Sequence, residues 1–310
     1  MAEKKTALWK LIVGYSAFGL FALVAGVLLT FPYDALSERV RLEADNAGYF
    51  LRIGSLGPGL LAVRAKNIDA SKKAAEADGE KAPEPLRIDA ISIGPTLFPP
   101  GLGVSVKALD GTVKLGLSGL STVHVKVDAE DLDLSKGNVK GFSGIDLGGT
   151  VGLHVDLSIP KASVGSGEPE PDLGQASGTI TLEAKNLVVN GGSVNVPIPQ
   201  YGPEPTPIDL PKIAFGDITG KIKIEKGAGT VDELHVKSAD MEMQGSGTLK
   251  FAKRLEYCEP NVEVRMKFDP EFQKRLGLLG SALSMIGADP KDPSWRLGRL
   301  TGYLGRPNFR

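Results

Sequence analysis

Along most of this chain apolar and polar residues alternate one by one. In "GTVGLHVDLSIP", Gly149 to Pro160, the residues Val151, Leu153, Val155, Leu157 and Ile159 share one side of an extended strand. Gly152, His154, Asp156 and Ser158 share the other. Successive strand side chains point to opposite faces, so this period predicts a strand apolar on one face and wetted on the other. The same rhythm recurs from Tyr49 to about Phe268: Leu61, Val63 and Ala65; Val113, Leu115 and Leu117; Val123, Val125 and Val127; Ile180, Leu182 and Ala184. Roughly a dozen strands are predicted, with almost no helix among them.

A loose repeat runs through these strands. Gly111, Gly149, Gly178, Gly220 and Gly247 each precede Thr or Lys and then alternating apolar residues, at intervals of 38, 29, 42 and 27. The spacing is too uneven for a strict solenoid. Ala65-Lys-Asn-Ile, Ala129-Glu-Asp-Leu, Ala184-Lys-Asn-Leu and Ala239-Asp-Met each mark a slip in the alternation. One extra residue re-aims a strand, so these are expected bulges. Each repeat reads as a long strand that starts at a turn glycine and kinks near its end.

Helical periodicity flanks the strands. Leu36, Val40 and Ala44 recur at i, i+4 and i+8 before Gly48, which predicts an amphipathic connector helix over 34–48. Asp269 is an expected N-cap with Pro270 at the first helical position. Phe272, Leu276, Leu279, Leu283 and Ile286 then form a stripe facing the sheet or a membrane. A basic tail follows, with Leu297, Leu300 and Leu304 among arginines. Three polar interruptions, 70–85, 165–175 and 197–207, read as loops within one continuous β domain over 49–268.

Leu11 to Tyr33 is 23 consecutive residues without a charge. A helix of about 20 residues spans the hydrocarbon core, so this run predicts a single membrane anchor carried by Leu11, Phe18, Phe21, Leu28 and Tyr33. Lys4, Lys5 and Lys10 precede it, while Asp34 and Glu38 follow. The positive-inside tendency places residues 1–10 in the cytoplasm and everything after Tyr33 outside.

Composition and motifs narrow the chemistry. The net charge is −1, with no dominant basic block, which argues against nucleic acid as a partner. Cys258 is the only cysteine, which excludes an intramolecular disulfide, and it reads as an inert packed thiol. No nucleophile elbow, phosphate loop, dinucleotide fingerprint or zinc-protease motif is present. His124, His154 and His235 each precede a valine on the polar phase of a strand, and Asp131, Asp133, Asp240 and Glu242 read as wet-face residues. No enzyme, metal or cofactor is expected.

The apolar face is the remaining feature. Val151, Leu153, Val155, Leu157, Ile159, Ile180 and Leu182 form either a packed core or a trough. The sheet could close on itself as a flattened sandwich or barrel. Alternatively it could stay open along one side, as a curved half-barrel holding acyl chains; aliphatic walls suit both.

"FPYD" (Phe31–Asp34), the glycine-headed strands and Gly302-x-Leu304-x-x-Pro307 in "LTGYLGRP" together resemble the type II secretion system protein N (GspN) family in its delta-proteobacterial form. They are more distantly similar to AsmA-like envelope proteins. The first resemblance implies a bitopic protein of the bacterial inner membrane whose periplasmic β domain contacts other secretion-system proteins. The second implies a lipid-facing trough, with phospholipid as ligand.

Overall fold

The computed structural model describes residues 30–59, 62–73, 84–162, 169–196, 206–277 and 286–309, with positions 15, 18, 19, 22, 26 and 280. These residues build one open antiparallel sheet of 16 strands. The strands are β1 (Tyr49–Pro58), β2 (Val63–Lys72), β3 (Leu86–Leu97), β4 (Pro100–Ala108), β5 (Gly111–Ser118), β6 (Thr122–Asp133), β7 (Ile145–Ala162) and β8 (Glu170–Pro171). They continue as β9 (Ser177–Val196), β10 (Thr206–Leu210), β11 (Ile213–Glu225), β12 (Ala228–Lys237), β13 (Met241–Lys250), β14 (Glu259–Phe268), β15 (Arg296–Tyr303) and β16 (Arg306–Phe309). Strands neighbour one another in chain order, except that β8 and β10 pair off the main path on β7 and β9. Helices with bounds among the described residues are α1 (Tyr33–Asn46), α2 (Val139–Ser143) and α3 (Pro270–Arg275).

Tight turns set this meander. Leu109 and Asp110 are both left-handed, at φ 56° and 58°, and join β4 to β5. Lys226 and Gly227, at φ 48° and 76°, join β11 to β12. A pair of left-handed residues matches the twist of the strands it connects.

Three of the four expected bulges are left-handed kinks inside strands. Asn67, Asp131 and Asn186 have φ 52°, 53° and 51°. Asn and Asp tolerate this region better than other side-chain-bearing residues. At Asp131 the β6–β7 register jumps from Ala129 opposite Leu153 to Leu132 opposite Val151. Ala129 and Leu132, three positions apart, therefore face the same side, and the change of phase preserves the apolar face. The fourth site, Ala239-Asp-Met, is a turn: Ser238 N donates to Met241 O at 2.9 Å.

The glycine heads behave differently from expectation. Gly111 opens β5 at a turn and Gly178 is the second residue of β9, but Gly149, Gly220 and Gly247 lie inside strands. Gly149 has a structural reason to be glycine: its φ is +103°, and a Cβ there would stand 2.6 Å from the Asn186 carbonyl oxygen.

The anchor prediction at Leu11–Tyr33 falls almost wholly outside the described residues, including Leu11, Phe21 and Leu28. Phe18 is helical and exposed, and Tyr33 is the first residue of α1. Among the described residues no helix is long and apolar enough to cross a membrane. The connector helix is present as α1.

The sheet does not end at Phe268, as the domain boundary had it. The expected basic tail supplies β15 and β16, which extend the sheet past β14. Asp269 caps α3 as its spacing predicts, accepting from Glu271 N at 2.9 Å and Phe272 N at 3.1 Å. Of the predicted helical stripe, Phe272 and Leu276 are buried, while Leu279 and Leu283 lie outside the described residues. The interruption at 165–175 contains β8 and a 3-10 turn at Leu173–Gln175, where Asp172 accepts from Gly174 N at 2.9 Å.

Candidate apolar groove

Residues opposite one another on neighbouring strands share a face, so the pairing can be followed as rungs. One rung joins Ala65, Ile91, Val106, Val113, Ala129, Leu153, Leu182, Gly220 and Leu234. The next joins Val63, Ile93, Val104, Leu115, Val127, Val155, Ile180, Ile222 and Val231. Each crosses from β2 to β12 without a charged residue. At about 4.8 Å between strands, such a rung is roughly 40 Å long. A rung of the opposite face reads Arg64, Ser92, Ser105, Lys114, Asp128, His154 and Thr181.

The structure brings the predicted trough residues together and divides them. Leu153 pairs with Leu182 and Val155 with Ile180 across β7 and β9. Leu157 and Ile159 are buried in a cluster with Ala176, Ile224, Phe251 and Cys258, which covers one end of the apolar face on its β7-to-β14 side and leaves that end of β3 to β5 outside it. Val151, Leu153, Val155 and Ile180 are half-buried, and Leu182 is 37% exposed.

A second plug closes the opposite strand ends, where Phe272 and Leu276 of the α3 region pack with Val189, Ile213, Val236 and Met241. Asp240 fastens this plug. Its carboxylate accepts from Ala214 N at 2.8 Å and from the Arg275 guanidinium at 2.5 Å. Val231, Val262, Val264 and Met266 form a third buried cluster, with Ile286 and Leu300 against it. Toward β3 and β4 the cover is lost: Ile93 and Leu102 are each 44% exposed. Among the described residues the long strands all belong to this one sheet, and its path ends at β1 and β16 without their pairing, so neither a second sheet nor barrel closure covers this face.

The wet face carries the histidines. His154 Nδ1 lies 3.2 Å from Asp128 Oδ1, His124 Nδ1 lies 3.0 Å from Ser158 Oγ, and His235 Nε2 lies 3.8 Å from Glu242 Oε1. The hydrogen bond from His154 is the main cause holding the Asp128 carboxyl below the usual carboxylate range, against desolvation, with the charge of Lys126 adding to it. Asp131 is exposed, as expected of a wet-face residue, and sits at a left-handed kink. Asp240, expected to be an ordinary wet-face residue, instead fastens a plug with its side chain 13% exposed.

The closing motif forms the last hairpin. Gly302, at φ +88°, pairs with Pro307, and Leu304 N donates to Cys258 O at 2.9 Å. Sequence reading passed over Leu97, Phe98 and Leu120, exposed at 67%, 95% and 91% on hairpin tips. The available signal was the lack of charge around them: none lies between Asp89 and Lys107, or between Lys114 and Lys126.

Comparison with protein-family profiles, with curated proteins and with solved structures found no match to this chain.

Proposed function

We propose that this chain is a non-enzymatic, membrane-anchored envelope protein whose open apolar groove holds lipid acyl chains, as expected of an AsmA-like protein. The supporting observation is the stretch between the two plugs, where among the described residues uncharged rungs cross β2 to β12 with Ile93 and Leu182 exposed in them and Leu102 exposed beside them. Soluble proteins rarely leave a contiguous apolar surface larger than a few hundred Å² without an occupant. Aliphatic walls without a fixed polar anchor suit a flexible acyl chain better than a ligand with directional groups. On this reading Leu11–Tyr33 tethers the sheet at the periplasmic face of a bacterial inner membrane. Native mass spectrometry of the full chain, purified in mild detergent, tests it. Phospholipid at about one or more molecules per chain is the expected result; a lipid-free chain defeats the proposal.

A second reading, a GspN-like component of a type II secretion system, is favoured by the final hairpin. All four residues of β16 are exposed, and its outer edge is the end of the sheet path. Such an edge can accept a strand from a partner. Co-purification with secretion components, lost when residues 306–310 are removed, is the expected result.

A further inference from the structure

The hairpin tips of β3–β4 and β5–β6 stand side by side at one end of the sheet. Phe98, Pro99, Leu117, Leu120 and Val123 line a single cleft of about 870 Å³. Phe98 is 95% exposed and Leu120 is 91% exposed, on two separate loops. Leu97 and Leu102, on the strands beside Phe98, are 67% and 44% exposed. No charged residue lies in either hairpin between Asp89 and Lys107 or between Lys114 and Lys126.

The path of α1 relates this end to the anchor. Asp45, near the end of α1, meets Lys73 at 2.7 Å where β2 finishes, and Lys73 N donates to Gly48 O just before β1 begins. Four residues earlier, Arg41 reaches the Ile53 carbonyl halfway along β1 at 3.3 Å. Successive turns of α1 therefore climb back along β1, and its first residue, Tyr33, lies toward the end where β1 finishes. The β3–β4 and β5–β6 tips belong to that same end, because alternate hairpins of an antiparallel meander share one end. The Leu109–Asp110 turn lies at the other.

We infer that the Leu97–Pro100 and Gly119–Ser121 tips form a foot that enters the interface of the phospholipid bilayer in which Leu11–Tyr33 is anchored. The foot rests on the anchored-groove reading above and deepens it: Leu97 and Leu102 continue the apolar face to the tip, giving an acyl chain an apolar route between groove and bilayer. Protein interfaces combine apolar contact with directional hydrogen bonds and charged rims. The charged residues of the cleft, Lys126 and Asp156, belong to β6 and β7 rather than to the tips. The tips themselves offer exposed apolar side chains, which fits a lipid interface.

Leu120→Cys, Phe98→Cys and, at the opposite end, Asp110→Cys are each labelled with an environment-sensitive NBD fluorophore in the full chain. Cys258 is fully buried and stays unlabelled, which the unsubstituted chain verifies. The labelled chains are reconstituted in phosphatidylethanolamine–phosphatidylglycerol liposomes containing a nitroxide-bearing phosphatidylcholine. Quenching at positions 98 and 120 about threefold or more above that at 110 is the expected outcome. Equal quenching at 110 and 120 overturns the foot, including the case in which a protein partner covers the tips. Alkaline extraction of the same liposomes reports the anchor independently: a resistant chain with unquenched tips loses the foot alone, whereas an extracted, unquenched chain loses both.

Discussion

Gly149 of β7 lies against the carbonyl of Asn186 on β9, with room for a hydrogen and none for a methyl group. Gly111 stands in the same relation to Asp131, where a Cβ would come 2.7 Å from the carbonyl oxygen. Two of the Ala-x-Asn/Asp-apolar kinks are thus each seated on a glycine of the neighbouring strand. Gly149→Ala is expected to lower stability by about 2–4 kcal/mol, through its positive φ and the carbonyl contact together. Gly152→Ala, where a Cβ would meet its nearest atom at 3.4 Å, should stay within about 1 kcal/mol of the parent. Urea denaturation of both variants checks the contrast.

The groove predicts that two leucines of one face behave differently. Leu157 is 8% exposed within an end plug, so Leu157→Ala should cost about 2–5 kcal/mol. Leu182 lies in the open stretch, so Leu182→Asn should change stability by less than about 1 kcal/mol while reducing bound phospholipid. Thermal melting and native mass spectrometry on the same preparations separate the effects. Equal destabilisation at both positions would mean that the groove is a packed core.

Asp240 is expected to matter more than its partner Arg275. Asp240→Ala removes the acceptor of Ala214 N and should cost about 1–3 kcal/mol. Arg275→Ala, whose side chain is 47% exposed, should cost only about 0–1 kcal/mol. Amide exchange at Ala214 should quicken in the first variant and remain near the parent rate in the second.

Asp289 links the stretch before β15 to the sheet and responds to acid. The Lys291 amide donates to it at 2.8 Å and Arg265 Nε at 2.6 Å, while the Arg265 guanidinium lies 5.1 Å from the centre of the Trp295 ring. The Lys291 hydrogen bond first, and then that of Arg265, hold the Asp289 carboxyl below its usual range against desolvation. A group depressed in this way contributes its full stabilisation above the ordinary carboxylate pKa and loses it as pH falls through the folded value. Below about pH 4 the parent should therefore lose stability more steeply than Asp289→Asn. Urea midpoints measured across that range give the comparison.

The sheet was legible because its apolar face is continuous: the alternation at Val151–Ile159 and Ile180–Leu182 is the face itself. Asn67, Asp131 and Asn186 were legible as slips, but the glycine seats of Asp131 and Asn186 were not, since a glycine inside a strand looks the same in sequence as one that opens it. β15 was hidden for a related reason. Gly298 and Gly302 occupy the face shared with Leu300, which interrupts the apolar rhythm, and the Phe309 ring fills the space where a Gly298 side chain would stand. Long-range fastening, such as Asp240 on Ala214, left no local pattern. The foot escaped notice because its apolar residues sit at turns, where periodicity carries no signal.

The chain-order meander gives the protein an adjustable span. An added hairpin would lengthen the sheet by two strand spacings, about 10 Å, and would interrupt only the pairing at its point of entry. Evolution or an engineer could therefore change the length of the sheet by whole hairpins, leaving the plugs and the rest of the register as they are.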